Sequence, residues 1–318
     1  MNPISIYYEH PRWFDRLFAE LDRRGAPYVK VDATTHRFDP AELGRDAEAS
    51  MVFNRMSPSA YHRDHGSAIL YTVDYLAHLE SWGKRTVNGL QAYLLEISKA
   101  RQLSLLRGLG LPYPRARVIH RPELAAEAAT GLRFPVVVKP NVGGSGVGVV
   151  RFDTQAELAE AAAGLDLGLD GVGLVQEFIP ARGGHITRVE GLDKRFLYAI
   201  NVHLSGETFD LCPADICQSR GGEALETACP VEAPKQGLQV EGYRPPEEVI
   251  SAVERIFHAS GIEVGGVEYV VDDRDGRLYY YDINALSNFV ADAPRVIGFD
   301  PFVNLVDYLV REAQHAGR

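Results

Sequence analysis

The stretch from Val136 to Val150 (Val-Val-Val-Lys-Pro-Asn-Val-Gly-Gly-Ser-Gly-Val-Gly-Val-Val) constrains this chain more than any other. Its ends are β-prone and its middle is rich in glycine, so two strands must meet at a loop whose backbone is not shielded by side chains. Such a loop can bring several N–H donors close to phosphate oxygens. The stretch is not a Walker loop, which needs Gly-Lys-Ser/Thr opening a helix, nor the spaced glycine triplet of a dinucleotide fold. A strand on each side (Leu132 to Lys139 and Val147 to Phe152) instead suggests a hinged flap closing over a nucleotide. Taken alone, the same residues also fit a plain hairpin with Lys139 in solvent.

The rest of the chain supplies an α/β context. Ile4 to Tyr8, Tyr28 to Val31, Met51 to Arg55 and Thr86 to Asn88 read as strands. Trp13, Leu17, Phe18 and Leu21 recur at helical spacing before Gly25, and Ile69 to Trp82 reads as a second helix. Alternation of this kind predicts a parallel sheet. Leu90 to Leu109 keeps helical spacing as one run and is stopped by Gly108-Leu109-Gly110-Leu111-Pro112. Beyond the flap, Ala156 to Leu165 reads as a helix and Leu174 to Phe178 as a strand. Strands are expected at Phe196 to Val202, Gly266 to Val271 and Leu278 to Ile283, and helices at Pro246 to Ala259 and at the C-terminal end. The turn-formers Asp272 to Gly276 predict that the last two strands pair as an antiparallel hairpin, with the acids at 272, 273 and 275 in the turn and in solvent.

Charge and cysteine usage exclude several function classes. Forty-three acidic against 33 basic residues leave a net charge of −10, which disfavours nonspecific binding to nucleic acid or an anionic membrane. No apolar run approaches the roughly 18–20 residues of a membrane span, and the start lacks a signal-peptide pattern, so a cytoplasmic location is expected. Cys212, Cys217 and Cys229 form neither a disulfide framework nor a close zinc-binding pair and read as reduced thiols.

Glu268 and Asp282 fall on neighbouring strands of the expected hairpin, and Asn284, two residues beyond Asp282, shares its face. Hard oxygen ligands on paired strands suit magnesium, which needs few protein ligands and keeps several waters. A solvated sheet face is the alternative for this trio in isolation.

In combination these segments resemble the ATP-grasp superfamily. Lys99 precedes the flap, Lys139 leads into it, and Leu174-Val175-Gln176-Glu177-Phe178-Ile179-Pro180 follows as a strand ending at proline. The resemblance implies a leading parallel-sheet α/β domain (residues 1–97), a small central lid domain (98–178) and a C-terminal antiparallel-sheet domain (179–318), with ATP between the latter two. It implies that Lys99 and Lys139 hold ATP phosphates, that Gly144, Ser145 and Gly146 cover them, and that Gln176, Glu177, Phe178 and Ile179 receive adenine. It further implies that Glu268, Asp282 and Asn284 hold magnesium, two ions in all, with manganese able to substitute. In the family the first metal acid is usually aspartate and the second glutamate, so the two are exchanged here.

Asn54-Arg55-Met56-Ser57-Pro58, Gly83 to Asn88 and Ser219-Arg220-Gly221-Gly222 look like the RimK and glutathione-synthetase branch. That likeness implies a carboxylate–amine ligase that forms an acyl phosphate, with small-molecule or peptide substrates and a homo-oligomeric assembly. Lys139, Arg188 and Arg220 are its candidate catalytic groups. His185 stands where relatives carry an acid for the ribose hydroxyls and equally reads as an exposed loop histidine. Asp215 reverses the charge found in glutamate-adding relatives, which suggests a basic or ammonium-bearing substrate group or else a structural ion pair. Ser287 and Arg55 are candidates for a substrate carboxylate, a surface ion pair being the alternative for Arg55. A kinase using the same nucleotide apparatus, or a regulatory protein that binds ATP without turnover, would share these motifs.

Overall fold

The computed structural model describes residues 2–10, 12–144, 147–203 and 239–316. Arg220, Asp215, Ser145, Gly146 and the three cysteines lie outside the described residues.

The chain begins with β1 (Ile4–Tyr8), α1 (Asp15–Arg24), β2 (Tyr28–Asp32), β3 (Met51–Arg55), α2 (Gly66–Ser81) and β4 (Thr86–Val87). These strands pair in parallel in the order β2-β1-β3-β4, as the alternating pattern predicts. The order reverses between β1 and β3. In an open parallel sheet the crevice beyond the strand ends at such a point is where ligands bind. Glu9 and His10 follow β1 there, and Met56 to Ser59 follow β3.

Next come α3 (Leu90–Glu96), α4 (Lys99–Gly108), β5 (Ala116–Ile119), α5 (Ala125–Ala128), β6 (Val136–Pro140), β7 (Val150–Phe152), α6 (Gln155–Ala161) and β8 (Gly173–Glu177). The central sheet is antiparallel, in the order β5-β8-β6-β7. The single helix expected from Leu90 to Leu109 is two. Ser98 is extended (φ −148°), and its hydroxyl accepts the N–H of Arg101, so it ends one helix and caps the next. The second flap strand starts later than expected, at Val150, because Gly148 takes the left-handed conformation (φ 77°) and the strand geometry is lost before it.

The C-terminal part contains β9 (His185–Leu192), β10 (Arg195–His203), β11 (Val240–Tyr243), α7 (Glu247–Ser260), β12 (Val264–Val271), β13 (Leu278–Asn284), α8 (Ala293–Ile297) and α9 (Pro301–Ala316). Its sheet is antiparallel throughout, in the order β11-β10-β9-β12-β13. The predicted hairpin of β12 and β13 is present. The segment from His185 to Glu190 is strand, not loop: Arg188 and Glu190 share the face of Ile186, so a buried charge pair hides behind a polar appearance. Asp272 is a further correction. Its carboxylate is fully buried rather than solvated, bonded to Arg274 and to Arg133 of the central region, and so fastens the hairpin turn to the lid.

One face of the C-terminal sheet packs Val189, Val267 and Ile283 against α4 and α7 through Leu103, Leu106, Val253 and Ile256. On the other, Ile186, Ile200 and Val202 join a core with Ile4, Phe18 and Phe53 of the leading domain and with Leu305 and Leu309 of α9. The leading sheet and the C-terminal sheet therefore share apolar contacts, which holds the β1/β3 crevice against the end of β13.

Candidate active site

Strand register brings the charged groups together. Glu268 of β12 is paired with Arg188 on β9 and with Asp282 on β13, so these three form one row across the sheet. The neighbouring row on the same face is Glu190, Gly266 and Asn284. Arg188 is 1% exposed and donates to Glu190 Oε1 at 2.5 Å and to Glu268 Oε1 at 3.0 Å. Tyr281 donates its hydroxyl to the other oxygen of Glu268 at 2.7 Å.

Gly266 is required between these rows. A Cβ there would lie 2.9 Å from Nε and Nη2 of Arg188 and 3.0 Å from Glu190 Oε2. Gly266→Ala should therefore displace the guanidinium, at a cost of about 1–3 kcal/mol. Urea denaturation is the check, and an unchanged midpoint would remove the steric argument.

Two lysines face the acidic end of the row. Lys99, the first residue of α4, donates to Asp282 Oδ1 at 3.2 Å and to the carbonyl of Gly143 in the flap at 3.4 Å. Lys139 is buried on β6, close enough to act on Asp282 electrostatically. Burial opposes the charge of Asp282, but Lys99, Lys139 and the amide of Asn284, which donates to Oδ2 at 3.0 Å, together hold its carboxyl below the usual range. Glu268 moves the other way: burial and then the charge of Asp282 push it up, against the pull of Arg188.

The flap root is fixed by Asn141, whose side chain accepts from the Ser98 hydroxyl and the Ala100 N–H and donates to Asp170. Gly143 approaches the Tyr61 hydroxyl and Gly144 approaches Ser59, so the flap rests on the leading domain. Gln176 and Glu177 end β8, and Phe178 to Pro180 link it to β9. Glu177 accepts from the Arg133 N–H, and the buried Gln176 Oε1 has no hydrogen-bond partner among the described residues. Ile179 is buried in the apolar core, and the Phe178 ring lies under the Arg151 guanidinium. His185 opens β9, half-buried, 5.5 Å from the ring of His203, which is bonded to Glu241.

A cavity joins the metal-end residues to the leading domain. Lys99, Gly143, Gly144, Asp282 and Asn284 line one side, and Trp13, Ser57, Ser59 and Asn288 the other. Arg55 lies behind this wall and is not a surface ion pair: it is 2% exposed and donates to the Ser287 carbonyl and to Asn288 Oδ1. Ser287 Oγ is buried and accepts the Phe289 N–H.

Sequence reasoning missed several members of this site. Glu96 lines the cavity, accepts the Ala285 N–H and is pushed up to about 7 by burial, with the charge of Asp282 adding to the effect. Gln102 holds both the N–H and the carbonyl of Ile283, tying α4 to β13. Asn88 binds the backbone of Val264 and Ala285 across the domain junction. The cap at Ser98 was the one local signal that could have exposed Glu96 as the end of a helix.

Asp282 and Asn284 thus stand next to Glu268 on an antiparallel sheet, with Lys99 and Lys139 opposite and the flap root at Gly143 and Gly144 beside them. The chain has the fold of the ATP-grasp ligases. Residues 105–235 match the family described as D-ala D-ala ligase C-terminus. A D-alanine–D-alanine ligase of Pseudomonas fluorescens is 26% identical over 63% of this chain and 56% of its own length, so the aligned part spans little more than half of that relative. Among solved structures, the D-alanine–D-alanine ligase of Bacillus anthracis complexed with ATP superposes with a TM-score of 0.66 at 17% identity, covering 99% of this chain and 98% of that one. The ATP-grasp ligase PsnB, complexed with a phosphomimetic variant of its minimal precursor, Mg and ADP, superposes with a TM-score of 0.66 at 19% identity, covering 97% and 98%. The ATP-grasp match thus extends over the whole chain at the level of fold. No helix among the described residues is long and apolar enough to cross a membrane.

Proposed function

We propose that this chain is an ATP-dependent carboxylate–amine ligase acting through an acyl phosphate. The observation that carries the reading is the row Arg188–Glu268–Asp282, with Asn284 beside it and Lys99 and Lys139 facing it under the flap root. No group of three or more His, Cys, Asp or Glu placed to hold a metal occurs among the described residues. Two carboxylates and an amide oxygen nevertheless fit magnesium, which completes its shell with phosphate oxygens and water. Glu268, Asp282 and Asn284 would hold it, and it would neutralise charge on the triphosphate.

The remaining work falls to positioning and electrostatics, as expected for phosphoryl transfer. Lys99 and Lys139 are placed to bind phosphate oxygens, and Arg188 orients Glu268 between two fixed donors. A substrate carboxylate oxygen attacks the γ-phosphorus, the bond to the ADP oxygen breaks, and an acyl phosphate results. The amine nitrogen then attacks the carbonyl carbon, the C–O bond to phosphate breaks, and the nitrogen gives up its proton. Arg220 is proposed to stabilise the developing oxyanion, Gln176 to Ile179 to receive adenine, His185 the ribose, and Asp215 an ammonium group of the amine.

The test is Mg-ATP turnover with a library of acids and amines, followed by mass spectrometry and by trapping with hydroxylamine. Stoichiometric ADP and phosphate together with a hydroxamate are expected. ADP without free phosphate and a phosphorylated product would replace the ligase with a kinase. ATP binding without turnover would leave a regulatory protein.

A further inference from the structure

Arg55 is a buried cation with no ion pair among the described residues. It ends β3 at the β1/β3 crevice, is 2% exposed, and leaves Nε and Nη1 buried with no hydrogen-bond partner among the described residues. No described carboxylate forms an ion pair with it. Its neighbours are the rings of Phe14 and Phe53, 5.2 and 5.0 Å from the guanidinium carbon, and on the other side the Ser287 carbonyl and the Asn288 amide. Burial alone pulls it down to about 9, with Glu96 and Glu190 opposing only at a distance.

A purely structural strut would not need a cation. Donating to one carbonyl and one amide oxygen uses a single nitrogen of the five-donor fork, and a buried charge without a counterion is strongly unfavourable. Buried donors left unsatisfied call for a partner, and a bound anion would supply both the acceptor and the missing charge. The position agrees. Asn288, which Arg55 holds, lines the same cavity as Asp282 and Asn284, and so do Trp13 and Ser57, next to Phe14 and close to Arg55 in sequence.

We propose that Arg55 anchors a second, unreacting carboxylate of the acyl donor, so that the donor is a dicarboxylic acid of the aspartate, glutamate or glutarate class. This rests on the ligase reading above for which molecule fills the cavity. The unpartnered Nε and Nη1 can each give a carboxylate a charge-assisted hydrogen bond, about twice as strong as a neutral one. That grip suits the unreacting group, because the reacting oxygen must remain free to attack phosphorus and is served by Lys139 and the metal-end residues instead.

Binding is tested without turnover, by calorimetry on the full chain with glutarate and butanoate as probes. Glutarate should bind the wild-type protein at least tenfold more tightly than butanoate. Arg55→Met should abolish that preference, and Arg55→Lys should keep part of it. ATP affinity within twofold of wild type would verify that the variants are folded. The comparison of the two acids on wild-type protein stands even if Arg55→Met does not fold. Equal binding of glutarate and butanoate to wild type, binding of neither, or an unchanged preference in Arg55→Met would overturn the proposal. Acid-dependent ADP release decides the ligase reading separately: tight glutarate binding without turnover would sink that reading and leave the anion site standing.

Discussion

Asp282→Asn is expected to lower ATP-dependent turnover by about 10²-fold or more, with a raised requirement for magnesium. The substitution keeps shape and removes charge. Asp282 receives Lys99 on one oxygen and Asn284 on the other, and its carboxyl is held below the usual range because these donors and Lys139 outweigh its burial. An asparagine would set an N–H against one of those donors and leave the two lysines without their counter-charge when no nucleotide is bound. It would also remove one of the two charges that make magnesium binding favourable. The measurement is steady-state ADP release as a function of magnesium concentration. Turnover and magnesium dependence equal to wild type would refute the metal assignment while leaving the fold intact.

Arg188→Met is expected to act first on stability, by roughly 3–5 kcal/mol, because it strands two buried carboxylates. Glu190 and Glu268 are 1% and 2% exposed, and the guanidinium is the cation bonded to both. With it gone, the only relief is protonation of one acid, so the deficit should shrink as pH falls toward the range in which a buried glutamate takes up a proton. A folded-state carboxyl raised above its unfolded value contributes stability below the unfolded value and loses it as pH rises through the folded one. Urea denaturation at several pH values checks this. Arg188→Met combined with Glu190→Gln should recover part of the loss, a coupling that an independent surface effect would not produce. Loss of less than about 1 kcal/mol would mean that water reaches these acids.

The local parts of this architecture were legible. β1, β2, β3 and the closing hairpin stand where apolar alternation and turn residues put them, since strand and turn preferences act within a few residues. That Asp282 and Asn284 share a face was legible for the same reason, since residues two apart on a strand must do so, whereas Lys99 and Lys139 were singled out by the family resemblance. The break at Ser98 was not read, because helical spacing survives across a capped joint. Nor was the strand from His185 to Leu192, where Arg188 and Glu190 look like solvent-facing residues until another surface covers them.

What lay beyond the sequence is non-local pairing. Lys99 meets Asp282 across 183 positions and Arg55 meets Ser287 across 232, and no periodicity within a segment specifies either contact. The order of side chains along each strand is a property of the covalent chain, so the donor sets and their faces were determined by sequence alone. Which strand lies beside which, in what register, and which charges are then shut away from water follow from burying several apolar faces at once. Only the assembled sheets decided that Arg188 would serve Glu268 and that Arg55 would be enclosed as an uncompensated cation.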